Sequence, residues 1–141
     1  MMVLKPYDYA RKKIVYCWLD EPLNEVAGRL AEENIGSIVV DDREGNHIGM
    51  LTDSMIFKTI SIYTDISNLK IKDLKLERLV TAKIDADLGE ITEKFRQITS
   101  GRIALVDNEG KIVGILKKKN LDRFARFEVG EKIIEQERYK R

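Results

Sequence analysis

At 141 residues, with 43% hydrophobic and 35% charged residues, the chain is long enough for one domain or for two small halves that share a core. The formal net charge of +1 gives no reason to expect general binding to nucleic acid or anionic membranes, and a single cysteine with a single histidine exclude an internal disulfide and a multi-histidine metal site. No apolar run is long enough to span a membrane and the N-terminus lacks the apolar region of a signal peptide, so we expect a cytoplasmic protein.

The first part of the chain predicts a strand, a helix and a second strand. Residues 5–11 fit either a short helical turn or an irregular arm, and residues 14–17 are apolar and strand-like. The acidic pair Asp20 and Glu21, followed by Pro22, is typical of a helix start. Apolar residues at positions 23, 26, 27 and 30 then predict an amphipathic helix that ends near Asn34 and Gly36. The β-branched residues 37–40 predict a buried strand.

A hairpin and a second helix follow. The segment 42–45 is typical of a turn in which Gly45 takes a positive φ, and residues 47–51 form the returning strand. Thr52, Asp53 and Ser54 are all plausible caps for a helix that continues through Ile60.

The whole pattern then repeats after a shift of about 65 residues. Val15 aligns with Val80 and Gly36 with Gly101, and no gap is needed between the pairs Lys5/Lys70 and Leu51/Leu116. We therefore predict an α/β (α+β) fold made of two β-α-β-β-α repeats, packed together with pseudo-twofold symmetry. Each half would be marginally stable alone, which favours packing of one half on the other.

We place the first repeat at residues 5–66, the second at 67–126 and a helical tail at 127–141. The apolar residues of the last segment fit a helix that packs on its own domain, a contact with a dimer partner or another protein, or disorder.

The repeats resemble CBS domains, which commonly occur as a tandem pair called a Bateman module. The resemblance covers roughly residues 5–125 and rests on an ordered set of motifs: Asp-Glu-Pro-Leu-x-Glu-Val at 20–26, Asn-Ile-Gly-Ser-Ile-Val-Val at 34–40, and Gly-Met-Leu-Thr at 49–52, with their counterparts one repeat later. It implies a site for an adenosine compound (AMP, ADP, ATP or S-adenosylmethionine) in a cleft between the copies. In that family a Thr or Ser and the first amides of the last helix suit a phosphate, and an Asp three residues later accepts from the ribose hydroxyls.

This chain departs from the family pattern in both copies. In the first copy Thr52 matches the hydroxyl position, but Met55 occupies the position of the Asp and cannot accept a normal hydrogen bond. In the second copy Lys117 replaces the hydroxyl and Asn120 replaces the Asp. Asn can still accept one hydroxyl hydrogen bond, and Lys117 can meet a phosphate as a point charge.

The resemblance therefore implies one better-supported cleft and one weaker cleft. The better-supported cleft contains Tyr16, Cys17, Gly36, Lys117 and Asn120. The weaker one contains Thr52, Met55, Thr81, Ala82 and Gly101.

Four other features have competing interpretations. Cys17 lies in an apolar run and fits a buried, inert thiol. His47 starts a hairpin strand and is expected to be exposed or at an edge. Trp18 fits either packing or stacking on a base. Residues 117–119, three consecutive lysines, fit a solvated charge run or an anion site.

From the resemblance we expect a stand-alone regulatory module that binds an adenosine compound as a homodimer and acts on an effector protein on another chain. The alternative is a degenerate pair that binds no nucleotide and serves as a dimerisation or protein-interaction module. No nucleophile–base constellation is recognisable, so we expect no enzyme activity, no catalytic residues, no metal and no cofactor.

Overall fold

The computed structural model describes residues 5–123 and residue 126. The predicted tail at 127–141 lies outside the described residues. Contacts divide the chain into two compact units, which we describe separately. The first unit is Ile14–Leu79, and the second combines residues 5–13 with the residues from Val80 onward.

The first unit is a four-stranded sheet with two helices. In chain order it contains β1 (Tyr16–Trp18), α1 (Leu23–Glu33), β2 (Ser37–Asp41), β3 (His47–Thr52), α2 (Asp53–Ile62), a 3-10 turn (Ile71–Asp73) and β4 (Glu77–Arg78). The strand order is β1-β2-β3-β4. β1 runs parallel to β2, as expected when a helix connects two strands of one sheet, and the other pairs are antiparallel.

The second unit repeats this plan with three strands. It contains a 3-10 turn (Pro6–Tyr9), β5 (Thr81–Lys83), α3 (Leu88–Phe95), β6 (Arg102–Val106), β7 (Ile112–Lys117) and a helix over residues 118–123, which we call α4. The strand order is β5-β6-β7. The predicted β-α-β-β-α repeat is thus confirmed in both copies.

One face of each sheet packs against the helices and forms a separate core. The apolar stripe of α1 and the alternating inward residues of the strands supply the first core. It contains Cys17, Leu23, Val26, Leu30, Ile38, Val40, Leu51, Ile56 and Ile71. The second core contains Ala10, Val80, Ala82, Ala86, Ile91, Phe95, Ile103, Leu105, Leu116 and Leu121.

Most of the turn and cap residues predicted from the sequence are confirmed by the structure. Asn34 ends α1 in the left-handed conformation, with φ of 54°, and Gly45 has φ of 86°. Thr52 caps α2 by accepting a hydrogen bond from the Met55 backbone N–H at 3.3 Å. The expected acidic cap of α1 was wrong: the N-cap residue is Pro22, which has no side-chain hydrogen-bonding group, and the Glu21 carboxylate instead accepts from the Trp18 N–H and from Arg29.

Two arms of the chain each pack in a unit that the sequence repeats do not predict for them. Residues 5–13, the N-terminal arm, pack in the second unit, where Arg11 and Ile115 exchange two backbone hydrogen bonds of 2.9 Å. Residues 70–79, the second arm, pack in the first unit, where β4 pairs with β3. Each arm therefore precedes one repeat in sequence but completes the sheet of the other repeat.

A glycine in each hairpin lets an arm approach closely. A Cβ at Gly49 would lie 2.6 Å from the Glu77 carbonyl oxygen of the second arm. A Cβ at Gly114, one repeat later, would lie 3.1 Å from Ala10 Cβ and 3.2 Å from a Tyr7 ring carbon of the N-terminal arm. The repeated glycine is thus explained by packing rather than by a turn.

Candidate ligand site

The predicted ligand residues form one group in each unit. The first unit holds Tyr16, Cys17, Gly36, Thr52 and Met55, and the second holds Thr81, Ala82, Gly101, Lys117 and Asn120. Each predicted cleft takes residues from both groups. The structure places the residues within their own units, and the joining of the two groups in one site stays a prediction.

The same backbone contact occurs in both units and joins the residue after one strand to the residue before another. The backbone N–H of Asp53 donates to the Gly36 carbonyl at 3.0 Å, and that of Lys118 donates to the Gly101 carbonyl at 2.9 Å. Gly36 therefore lies beside Thr52, and Gly101 lies beside Lys117. Neither pair belongs to a single predicted cleft, because the predicted clefts combine Gly36 with Lys117 and Gly101 with Thr52, whereas the strand register places each glycine beside a residue of its own unit.

In the first unit the polar group expected to meet a ligand is already engaged. Thr52 is 1% exposed, and its hydroxyl accepts from the Met55 N–H and shares a hydrogen bond of 3.1 Å with the Ser54 hydroxyl. The Met55 side chain packs against the first core. Neither side chain offers a charged or freely available acceptor at this position.

In the second unit Asn120 is held by the N-terminal arm. Its Nδ2 donates to the Tyr9 carbonyl at 2.8 Å, and this bond fixes the orientation of the side-chain amide. The Oδ1 atom is then the acceptor of the amide that a ligand hydroxyl can use. The sequence does not reveal this contact, because the two residues are 111 positions apart.

β1 presents two aromatic residues on one face and Cys17 on the other. Cys17 is buried in the first core, and burial is the main cause that raises the pKa of its thiol to about 12. The thiol is therefore protonated at neutral pH, as the interpretation of an inert cysteine requires. The Tyr16 ring stacks on His47 with 5.9 Å between centroids, and burial and the Asp41 carboxylate raise the Tyr16 pKa. His47 Nδ1 lies 2.6 Å from Asp41 Oδ1.

Trp18 is 43% exposed and stacks against a side chain that the sequence analysis did not connect with it. The Arg43 guanidinium lies 3.9 Å from the Trp18 ring centroid and binds both carboxylate oxygens of Asp20 at 3.0 Å. Trp18 is therefore not part of the core, and its ring packs against Arg43 instead. A cation stacked on the ring already occupies one face that a base would use.

Two arginines of the second unit were not predicted as site residues from the sequence. Arg102 follows Gly101 and pairs in register with Lys117 across β6 and β7. Arg11, in the N-terminal arm, is half-buried and close enough to Arg102 that burial and this second positive charge lower its pKa. A comparison of the two repeats position by position would have singled out both residues, because their first-unit counterparts are uncharged.

A groove of about 240 Å³ lies on the helical side of the second unit. Its walls are Leu88, Thr92, Phe95 and Arg96 of α3 and Lys118, Leu121 and Asp122 of α4. None of the predicted ligand residues lines this groove. Among residues 5–123 and 126, the structure contains no cluster of potential metal ligands and no helix long and apolar enough to cross a membrane.

The fold and the paired motif positions define a tandem module of two small α/β domains. The CBS domain family matches residues 7–62 and again residues 71–126, and the chain belongs to this family. Inosine-5'-monophosphate dehydrogenase of Aquifex aeolicus is 31% identical over 104 residues, or 72% of this chain and 20% of that enzyme. Homoserine O-acetyltransferase of Methanococcus vannielii is 26% identical over 102 residues, or 72% of this chain and 21% of that enzyme. The chain spans about a fifth of the length of these two relatives.

Several solved structures have the same fold. An uncharacterised conserved protein from Pyrococcus horikoshii is 27% identical, with a TM-score of 0.70 over 86% of this chain and 92% of that chain. The CBS domain pair of protein MJ0100, solved with 5'-methylthioadenosine and S-adenosyl-L-methionine, has a TM-score of 0.69 at 20% identity over 86% of this chain and 98% of that chain. Protein PAE2072 from Pyrobaculum aerophilum, solved with AMP, has a TM-score of 0.69 at 17% identity over 83% of this chain and 89% of that chain.

Proposed function

We propose that this CBS pair is a regulatory module that binds an adenosine compound. The observation that carries the proposal is the complete duplication of the CBS fold in a family whose structurally similar members were solved with AMP and with S-adenosyl-L-methionine. Binding regulates only if the ligand has different affinities for two states of the module. The protein that responds to these states is proposed to be an effector on another chain.

The second unit supplies the better half of the proposed site. Asn120 has an oriented amide whose Oδ1 suits one ribose hydroxyl, and Lys117 adds a positive charge at the end of β7. The proposed base-binding residues are Tyr16, Cys17 and Gly36 of the first unit. The other set, with Thr52 and Met55, is less favourable because the Thr52 hydroxyl is buried and engaged.

Calorimetric titration with AMP, ADP, ATP and S-adenosylmethionine tests the proposal. At a hundredfold excess over its Kd, a ligand that binds only the folded state adds about 2.7 kcal/mol to the free energy of unfolding. Asn120→Ala removes one neutral hydrogen bond to the ribose and is expected to weaken binding about fivefold. Asn68→Ala, at an exposed position, is the matched control and is expected to have no effect.

Binding must be measured directly for these variants, because the Asn120 amide also holds the N-terminal arm and its loss lowers stability by itself. Absence of heat and of a shift in unfolding temperature with all four compounds would overturn the proposal in favour of an interaction module. Equal affinity of the Asn120→Ala variant and the wild type would overturn the placement of the ribose.

The proposed module acts as a homodimer. In support of this, α2 exposes Phe57 and Ile60 at a spacing of three, and the apolar stretch continues to Ile62 and Tyr63. Phe57 is 67% and Ile62 76% exposed. A helix that leaves such side chains in water gains stability when a second apolar surface covers them. The same surface also supports the alternative function, an interaction module without a nucleotide.

A further inference from the structure

The sheet of the second unit carries cations on the face turned away from its helices. Because successive residues of a strand point to opposite faces, the core residues Ala82, Ile103 and Leu116 fix the orientation of their neighbours. Lys83 of β5, Arg102 of β6 and Lys117 of β7 therefore lie on the other face. We call these three residues, together with Arg11, the basic face.

The register brings the members of the basic face close to one another. Arg102 lies directly opposite Lys117. Arg11 lies opposite Ile115, two residues before Lys117 on the same face of β7. Burial lowers the pKa of Arg11, and the nearby positive charge of Arg102 lowers it further, in agreement with this register. The strands of this sheet contain no aspartate or glutamate.

The basic face is a property of one copy only. After a shift of one repeat, the first-unit counterparts of Arg11, Lys83, Arg102 and Lys117 are Leu76, Trp18, Ser37 and Thr52, the first lying later in the chain and the others earlier. All four counterparts are uncharged. Since the fold requires the same strands in both units, packing alone does not explain why these four positions carry cations in the second unit and the matching positions in the first unit do not.

Arg102 is the member of this face with a buried side-chain nitrogen that lacks a hydrogen-bond partner. Its Nη1 donates to the Ser100 carbonyl at 3.2 Å. Its Nε is buried and has no acceptor among the described residues. A half-buried guanidinium that lacks an acceptor has lost part of its hydration, and an anion compensates this loss better than a neutral group does.

We propose that the basic face makes this module selective for a phosphorylated adenosine over S-adenosylmethionine and neutral adenosine compounds. The inference rests on the proposed function and narrows its ligand class. The phosphate groups lie against Arg102 and Lys117, beside the proposed ribose position at Asn120. S-adenosylmethionine carries a positive sulfonium at the corresponding end of the ribose and is disfavoured by the same charges.

The test is calorimetric titration with AMP, adenosine, 5'-methylthioadenosine and S-adenosylmethionine at low and high salt. We expect AMP to bind on the order of tenfold to a hundredfold more tightly than adenosine, as for a charge-assisted hydrogen bond. Arg102→Gln should remove most of this difference while leaving the affinity for adenosine and 5'-methylthioadenosine unchanged. Arg123→Gln, at an exposed position on α4, is the matched control and should leave AMP binding unchanged.

The comparison of low and high salt uses only the wild-type protein, so it tests the inference even if Arg102→Gln does not fold. Affinity for AMP should fall as salt rises, whereas affinity for 5'-methylthioadenosine should stay constant. Binding of S-adenosylmethionine or 5'-methylthioadenosine as tight as that of AMP overturns the inference and leaves the proposed function standing. If none of these four compounds binds, and ADP and ATP do not bind either, the proposed function is overturned, and the inference with it.

Discussion

Glu21 shows how one side chain can organise the junction between a strand and a helix. Its carboxylate accepts from the Trp18 backbone N–H at 2.9 Å and from both terminal nitrogens of Arg29, at 2.6 and 3.2 Å. Arg29 Nη1 also donates to the Tyr16 carbonyl at 3.1 Å. The pair thus ties α1 to both ends of β1. The hydrogen bond from Arg29 is the main cause that lowers the Glu21 pKa.

Glu21→Gln is expected to lower the free energy of unfolding by about 1–2 kcal/mol at pH 7, because charge-assisted hydrogen bonds become neutral ones. The folded-state pKa of Glu21 lies below its unfolded value, so the stabilisation is present above that unfolded pKa and is lost as pH falls through the folded pKa. Denaturant unfolding from pH 7 to pH 3 should therefore show wild type and variant converging in acid. Glu44→Gln, exposed in the hairpin turn, should show no difference, and a constant gap between wild type and Glu21→Gln at every pH would contradict the assignment.

Single residues were predictable from sequence where their role is local. The positive φ of Gly45, the cap at Thr52 and the buried Cys17 follow from neighbouring residues or from strand alternation. The contacts of Glu21 and Asn120 did not follow, because their partners are distant in sequence. Residue type alone does not show which of several possible hydrogen bonds a carboxylate or an amide makes.

At the scale of elements, the helices and hairpins were predictable and the arms were not. The helices have apolar stripes and the hairpins have turn glycines, which are strong local signals. β4 has two residues, and the 3-10 turns have three or four, so neither has a period that a sequence pattern can reveal. Their position depends on a neighbouring strand that leaves room for them. Gly49 and Gly114 leave this room because they have no side chain.

Gly49→Ala is expected to destabilise the protein by about 1–3 kcal/mol, because its Cβ would overlap the Glu77 carbonyl oxygen and push β4 away from β3. Thermal or denaturant unfolding measures the change. Gly28→Ala is the matched control: a Cβ there meets nothing within 4 Å in the middle of α1, and better helix propensity should add about 0.5–1 kcal/mol. Equal stability of Gly49→Ala and wild type would show that the second arm does not need this close contact.

At the scale of the whole molecule, the sequence duplication was sufficient to predict the family and the two similar units. It was not sufficient to predict their differences. The basic face belongs to one unit, whereas the Tyr16–His47 stack and the Trp18–Arg43 stack belong to the other. Such differences lie outside the two cores, where packing restricts residue type less.

The exposed apolar side chains of α2 give a prediction on assembly. Phe57→Glu should shift a homodimer toward monomer, since it places a charge where an apolar contact is proposed, and its unfolding temperature should stay close to that of wild type when both are monomeric. Sedimentation velocity over a range of micromolar concentrations measures the shift. Lys58→Glu, the exposed neighbour on the same helix, should leave the assembly unchanged. A wild type that is monomeric throughout, or a variant that is as dimeric as wild type, would contradict the proposed interface.

The exchange of arms also has a consequence for how the chain folds during synthesis. The first unit is complete once its own last strand, β4, has been made, because all of its elements lie between Ile14 and Leu79. The second unit cannot be completed at that stage. Tyr9 leaves the ribosome early, but its hydrogen-bond partner Asn120 is synthesised 111 residues later. Until then the N-terminal arm has no sheet to join, and closing so long a loop makes this the slower of the two folding events.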